Sequence, residues 1–200
     1  MAERFPGYDV LDKRDTPSWN EPTRRTIDRR LALADEPRFF TQDEWRLVVV
    51  LCDRIVPQPA DRPRIPVAVL IDRKLLHDQG DGYRNAAMPP LREAWRQGLR
   101  ALDAEARLRF GADFAALTPG RQDTLLELLA KDEARSAAWQ GLGAKAFFKS
   151  RVLHDITGSY YAFPESWNQI GFGGPASPRG YVRMDFNRRD PWEAIERKDV

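Results

Sequence analysis

Thr41 and Glu44 stand three residues apart, and an apolar series with helical spacing follows them at once. That combination constrains the chain more than any other feature. The spacing is that of a capping box, in which each side chain satisfies a backbone N–H at the start of a helix. Trp45, Val48, Val49, Cys52, Ile55 and Val56 then recur with the period of a single helix face, and Pro57 stops the run. The same punctuation repeats downstream. Pro66 opens a helix through "VAVLIDRKLLHDQ" that Gly80 and Gly82 end, and prolines and Gly111 bracket the stripe Leu91, Trp95, Leu99, Leu102 and Ala106. Thr118 and Pro119 begin another helix as N-cap and first residue. In "GAKAFFKSRVLHDITG", Phe147, Phe148, Val152 and Ile156 form the face expected to be buried, with Gly158 as the stop. A shorter helix fits Thr23 to Leu33, ended by Pro37. No segment alternates as a strand does. The expected fold is all-α: a single bundle of about five or six helices with short connections, extended N- and C-terminal arms and an irregular loop rich in glycine and aromatic residues.

The chain has 200 residues, which suits one domain with extensions. Residues 1–38 read as an N-terminal arm with a short helix, held by Phe5, Tyr8 and Trp19. Residues 39–181 form the helical domain including the loop 159–181, and residues 182–200 are a tail. From Tyr160 onward the chain concentrates Tyr160, Tyr161, Phe163, Trp167, Phe172, Tyr181, Phe186 and Trp192. Gly171, Gly173, Gly174 and Gly180 with Pro164, Pro175, Pro178 and Pro191 argue against a regular helix there, so these aromatics are expected on irregular backbone.

Composition removes several function classes. Lys plus Arg number 32 against 30 Asp plus Glu, and the signs are interspersed, so the footprint of a nucleic-acid binder is weak. From Arg179 to Val200 six basic residues face five acidic ones; the arginine and aromatic mixture suits a protein interface better than a phosphate backbone. A single cysteine, Cys52, excludes an intramolecular disulfide, and its place on an apolar helix face marks it as a core residue. The first residues carry no apolar stretch for a signal peptide, and the arginine pairs at 24–25 and 29–30 precede charges and a proline. This chain is therefore expected to carry no export signal of its own, leaving it in the cytoplasm or exported with a partner. The runs "LVVVLC" and "VAVLI" are far shorter than the roughly 20 residues that span a bilayer.

No catalytic or metal-binding constellation emerges. Gly171 and Gly173 match half of a dinucleotide fingerprint, but no strand precedes them and no helix follows. His77 and His154 lie on different helices without partners at metal spacing. His154 and Asp155 are adjacent and so point in different directions. Most of the carboxylates are expected on solvated surface. Ser159 and Ser166 lack the setting of a nucleophile.

Two motifs matter together: "LVVVLCDRIVPQP" and "LLHDITGSYYAFPESWNQIGFGGPASPRGY". The pair resembles the gluconate 2-dehydrogenase subunit 3 family. In that family a helix ends in D-x-I-(I/V)-P, matched by Asp53, Ile55, Val56 and Pro57. A later helix leads to a tyrosine pair, a proline and a G-(Y/F)-x-G-P loop, matched by Tyr160, Tyr161, Pro164, Gly171, Phe172, Gly174 and Pro175. The resemblance covers about Phe39 to Tyr181. It implies a non-catalytic small subunit that binds and stabilises a large subunit of the glucose-methanol-choline oxidoreductase type. That partner would carry FAD and oxidise a sugar or glycoside, and some complexes add a cytochrome c subunit. No cofactor is expected in this chain. The implied partner interface comprises Tyr160, Tyr161, Phe163, Trp167, Gly171, Phe172, Gly173, Gly174, Pro175, Arg179 and Tyr181, extended by Phe186 and Trp192 in the tail. Arm and tail fall outside the family core and are expected to clasp the large subunit. Two other readings stay open: an independent helical enzyme with a site near His154, and a helical adaptor for an unrelated partner.

Overall fold

The computed structural model describes residues 4–82, 88–177, 179–186 and 188–198; Pro178 lies outside them. Among the described residues the α-helices are α1 (Glu21–Leu31), α2 (Gln42–Ile55), α3 (Val67–Leu76), α4 (Leu91–Phe110), α5 (Pro119–Lys131), α6 (Ala144–Phe147), α7 (His154–Tyr161) and α8 (Pro164–Ile170). A π-helical segment, Phe148–Leu153, joins α6 to α7, so residues 144–161 run as one rod. No strand occurs among the described residues, and the fold is all-α. The chain divides into two compact units, one formed by Asp35–Tyr160 and the other by Met1–Ala34 with Tyr161–Val200. This division differs from a helical domain 39–181 flanked by independent arms, because the loop after Tyr161 finds its packing partners on the N-terminal segment.

In the unit Asp35–Tyr160, α2 opens as its sequence dictates. The Glu44 N–H donates to Thr41 Oγ1 at 3.3 Å and the Thr41 N–H donates to Glu44 Oε2 at 2.9 Å. Its buried face is Leu47, Val48, Leu51 and Cys52, whereas Trp45, Val49, Ile55 and Val56 are half-buried. The helix is apolar around more than one face, and packing against α3, α4 and α5 selects which stripe is covered. The α4 stripe behaves as expected: Leu91, Trp95, Leu99, Leu102 and Ala106 are all buried. Burying each large apolar side chain contributes about 1.5–3 kcal/mol. Gly98 in mid-α4 is part of this packing. A Cβ built there would come within 2.3 Å of the Phe147 ring, so the missing side chain lets the ring lie on the helix backbone. Phe147 in turn stands edge-on to Trp95, which stands edge-on to Phe40.

Helix ends deviate from the sequence reading in three places. Helix α1 starts at Glu21, not Thr23, because Asn20 caps it by accepting the Thr23 N–H at 3.0 Å. Helix α3 ends at Leu76, before Gly80 and Gly82, and Asp78 takes the left-handed backbone at φ 49°. Gly158 does not stop its helix, which continues to Tyr161. One interior glycine costs only about 1 kcal/mol, less than the burial of Ile156 and Tyr160 on either side returns.

Carboxylates expected on the surface are partly internal here. Asp72 is buried and accepts the backbone N–H groups of Arg38, Phe39 and Phe40 at 2.9–3.2 Å, closing the turn before α2. Glu105 is fully buried and accepts from the N–H groups of Arg135 and Ser136, the Trp139 indole and Arg109. These donors hold its pKa below the ordinary carboxylate value although burial opposes them.

Candidate partner interface

The second unit is built by the N-terminal segment folding onto the motif loop. Asp9 caps a 3-10 turn, Val10–Lys13, by accepting the Leu11 N–H, and the turn presents Val10 inward. Val10, Trp19 and Ile27 of α1 surround Trp167 of α8, with Tyr8 and Leu11 packed on this cluster. Hydrogen bonds lock the arrangement. The Trp167 indole donates to the Tyr161 carbonyl at 2.6 Å and the Trp19 indole to the Pro175 carbonyl at 2.7 Å. The Val10 N–H donates to Asn168 Oδ1, the Asn20 N–H to the Ser177 carbonyl, both at 2.8 Å, and the Tyr8 hydroxyl to the Phe172 carbonyl at 3.1 Å. The loop is also less irregular than its glycines and prolines suggest. Pro164 is the first residue of α8, where its missing N–H costs nothing, and Gly171 ends the helix at φ 67°.

Two of the motif glycines are required by close approach as well as by conformation. A Cβ at Gly171 would meet the Phe5 ring at 2.6 Å, and one at Gly174 would sit 3.0 Å from Trp167 and Val10, with φ positive at both. The G-F-x-G-P motif therefore shapes a seat for the N-terminal segment.

The interface candidates separate into two groups. Tyr160, Phe163, Trp167 and Gly174 are buried within the chain, so they support a surface and do not present one. Gly171, Gly173, Pro175, Arg179 and Trp192 are half-buried. Tyr161, Phe172, Tyr181 and Phe186 are exposed, Phe186 at 93%. Sequence reasoning misses their aliphatic neighbours Ile170, Val182, Met184 and Ile195, which are also exposed. Alternating apolar and charged residues in "YVRMDF" are the signal that could find them. Trp167 stands edge-on to Phe172 at 5.8 Å and Phe172 lies 6.3 Å from Tyr181, whose hydroxyl donates to the Gly174 carbonyl at 3.0 Å. A ladder of rings thus leads from the buried cluster to the surface. The tail is held by Asp190, which accepts from Arg179 at 2.7 Å and from the Met184 N–H at 3.0 Å.

The histidine region is structural in character. His154 is exposed and 3.5 Å from Asp81, while the buried Asp155 turns inward to accept from the Trp95 indole and Lys74, each at 2.8 Å. Asp81, His154 and Asp155 have ligand atoms close enough for a cation, yet Lys74 Nζ already bridges both carboxylates. Cys52 is buried, and burial pushes its thiol pKa well up, consistent with a core residue.

The fold and surface thus define a helical module with a partly uncovered apolar face. Residues 42–174 match the model of the family described as gluconate 2-dehydrogenase subunit 3, and the chain belongs to that family. Membership places it as a subunit of a dehydrogenase complex. No curated protein and no solved structure matches the chain. No helix among the described residues is long and apolar enough to cross a membrane.

Proposed function

We propose that this chain is the non-catalytic small subunit that binds and stabilises an FAD-dependent large subunit of the glucose-methanol-choline type, which oxidises a sugar or glycoside. The observation that carries the reading is the exposed run Tyr181, Val182, Met184 and Phe186 beside Phe172, next to the family's motif loop. Large apolar side chains exposed together in one short stretch suit an interaction site, and aromatic anchors with arginine neighbours suit the centre of a protein interface. The N-terminal segment plays a supporting part, since Phe5, Val10 and Trp19 are buried inside their own unit. The flavin belongs to the large subunit, and a cytochrome c subunit would receive the electrons where one is present.

Co-expression with the glucose-methanol-choline flavoproteins of the same genome tests this. The tagged chain is expected to recover a yellow complex with dehydrogenase activity and to be colourless and inactive alone. Removing residues 182–200 is expected to lower recovery of the flavoprotein at least tenfold; unchanged recovery would sink the assignment of the interface to the tail.

A further inference from the structure

Lys13 is only 2% exposed, although lysine is almost never buried without a counter-ion. Its Nζ donates to the Gly173 carbonyl and lies 5.7 Å from the centroid of the Trp19 ring. Among the described residues no carboxylate forms an ion pair with it, and the charge that acts on it, Arg179, has the same sign. Burial first and Arg179 second push its pKa down to about 8. An anion beside the ammonium would relieve both effects.

Space for one exists. Lys13 lines a cavity of about 560 Å³, within the range of small-molecule sites. The wall also carries Ser18, Arg179, Arg183, Tyr181 and Trp192. Arg179 is paired with Asp190 at 2.7 Å and Arg183 with Glu193 at 2.9 Å, so those charges are matched. Among the described residues of the wall one cation is left over, and the two acids beside the arginines oppose a second negative charge on any ligand. The volume far exceeds a bare inorganic ion, and the aromatic side chains Tyr181 and Trp192 are part of the wall, Trp192 with the Arg179 guanidinium over its ring at 5.3 Å.

We propose that this cavity binds a small organic carboxylate of single charge, its carboxylate paired with Lys13 Nζ and its carbon body against Tyr181 and Trp192. The site draws on the N-terminal segment, which lies outside the matched residues 42–174, and it does not depend on the identity of the partner.

Calorimetric titration of the full chain at pH 7 and constant ionic strength, with sodium benzoate and inorganic phosphate as probes, tests it. Benzoate is expected to bind saturably at one site and more tightly than phosphate. Lys13→Met should weaken benzoate at least tenfold, and Glu193→Gln, which frees Arg183, should tighten it severalfold. Trp192→Ala, at a half-buried position, checks the same wall without touching the lysine and should weaken benzoate about fivefold. No saturable benzoate binding, tighter binding of phosphate, or benzoate affinity unchanged in both Lys13→Met and Trp192→Ala would overturn the proposal.

Discussion

The two units differ in how they bury charge. In Asp35–Tyr160 the buried carboxylates are surrounded by donors: Glu105 and Asp72 each organise a turn, and Asp155 joins an indole to a lysine. The buried Arg151 guanidinium there donates to the Ser150 carbonyl and leaves its Nε without an acceptor among the described residues. In the unit made from both ends of the chain the buried Asp190 is paired with Arg179, but the buried ammonium of Lys13 has only a neutral carbonyl to donate to. The first arrangement closes a core. The second leaves an electrostatic demand beside a cavity, and the same unit exposes the large apolar side chains Tyr181, Met184 and Phe186. Buried carboxylates ringed by donors serve stability, whereas an ammonium without a counter-ion, set beside a cavity and uncovered rings, suits receiving something.

The largest expected effect comes from breaking the satisfied side of this contrast. Glu105→Ala should destabilise the chain by about 3–5 kcal/mol in urea unfolding, because the donors of Arg135, Ser136, Trp139 and Arg109 lose their acceptor. Glu105 also sets a pH dependence. Its folded pKa is lowered, so its contribution is present above the unfolded carboxylate pKa and is lost as pH falls through the folded value. A loss below about 0.5 kcal/mol for Glu105→Ala would show that these donors find water instead.

Lys13→Met should act in the other direction and raise stability at pH 7. A pKa lowered from 10.5 to about 8 corresponds to a cost of up to about 3 kcal/mol for the charged form. Because the folded state binds this proton more weakly than the unfolded state, wild-type stability should rise between about pH 8 and 10, a rise absent from Lys13→Met. Tyr8 works oppositely at higher pH. Burial, then Asp9 and Glu193, push its pKa to about 12, so its contribution declines as pH rises from 10 towards 12. Denaturation midpoints across this range in both proteins separate the two groups.

Gly98→Ala should cost about 1–3 kcal/mol by driving a methyl group into the Phe147 ring. The smallest effect on the chain itself belongs to Phe186→Ala, within about 0.5 kcal/mol in thermal unfolding, since the ring is 93% exposed. Its recovery of the flavoprotein should nonetheless fall. A Phe186→Ala chain that recovers its partner undiminished would move the interface away from the tail.

Much of the bundle is legible in the amino-acid sequence. The capping box at Thr41 and Glu44, the α4 stripe and the buried set Phe147, Phe148, Val152 and Ile156 follow from local chemistry, and all appear as expected. The region after Tyr160 is harder. Its prolines and glycines read as barriers to helix, yet Pro164 and Gly171 occupy the two helix positions that favour them, and α8 forms between them. Trp167 is legible as important but not as buried, because the side chains that cover it, Val10, Trp19 and Ile27, are over a hundred residues away in the chain.

Sequence alone determined most of the helices, the stops at Pro57 and Gly111, the all-α class and the family motifs, because caps, prolines and a 3.6-residue period act over a few neighbouring residues. Only the tertiary structure decided which aromatics of the motif loop are core and which are surface, and which charges lie inside. The aromatics depend on what the N-terminal segment covers, and Glu105 on the turn at Arg135 and Ser136 that closes over it. Burial is a relation between distant parts of the chain, and no local pattern around Lys13 or Glu105 announces it.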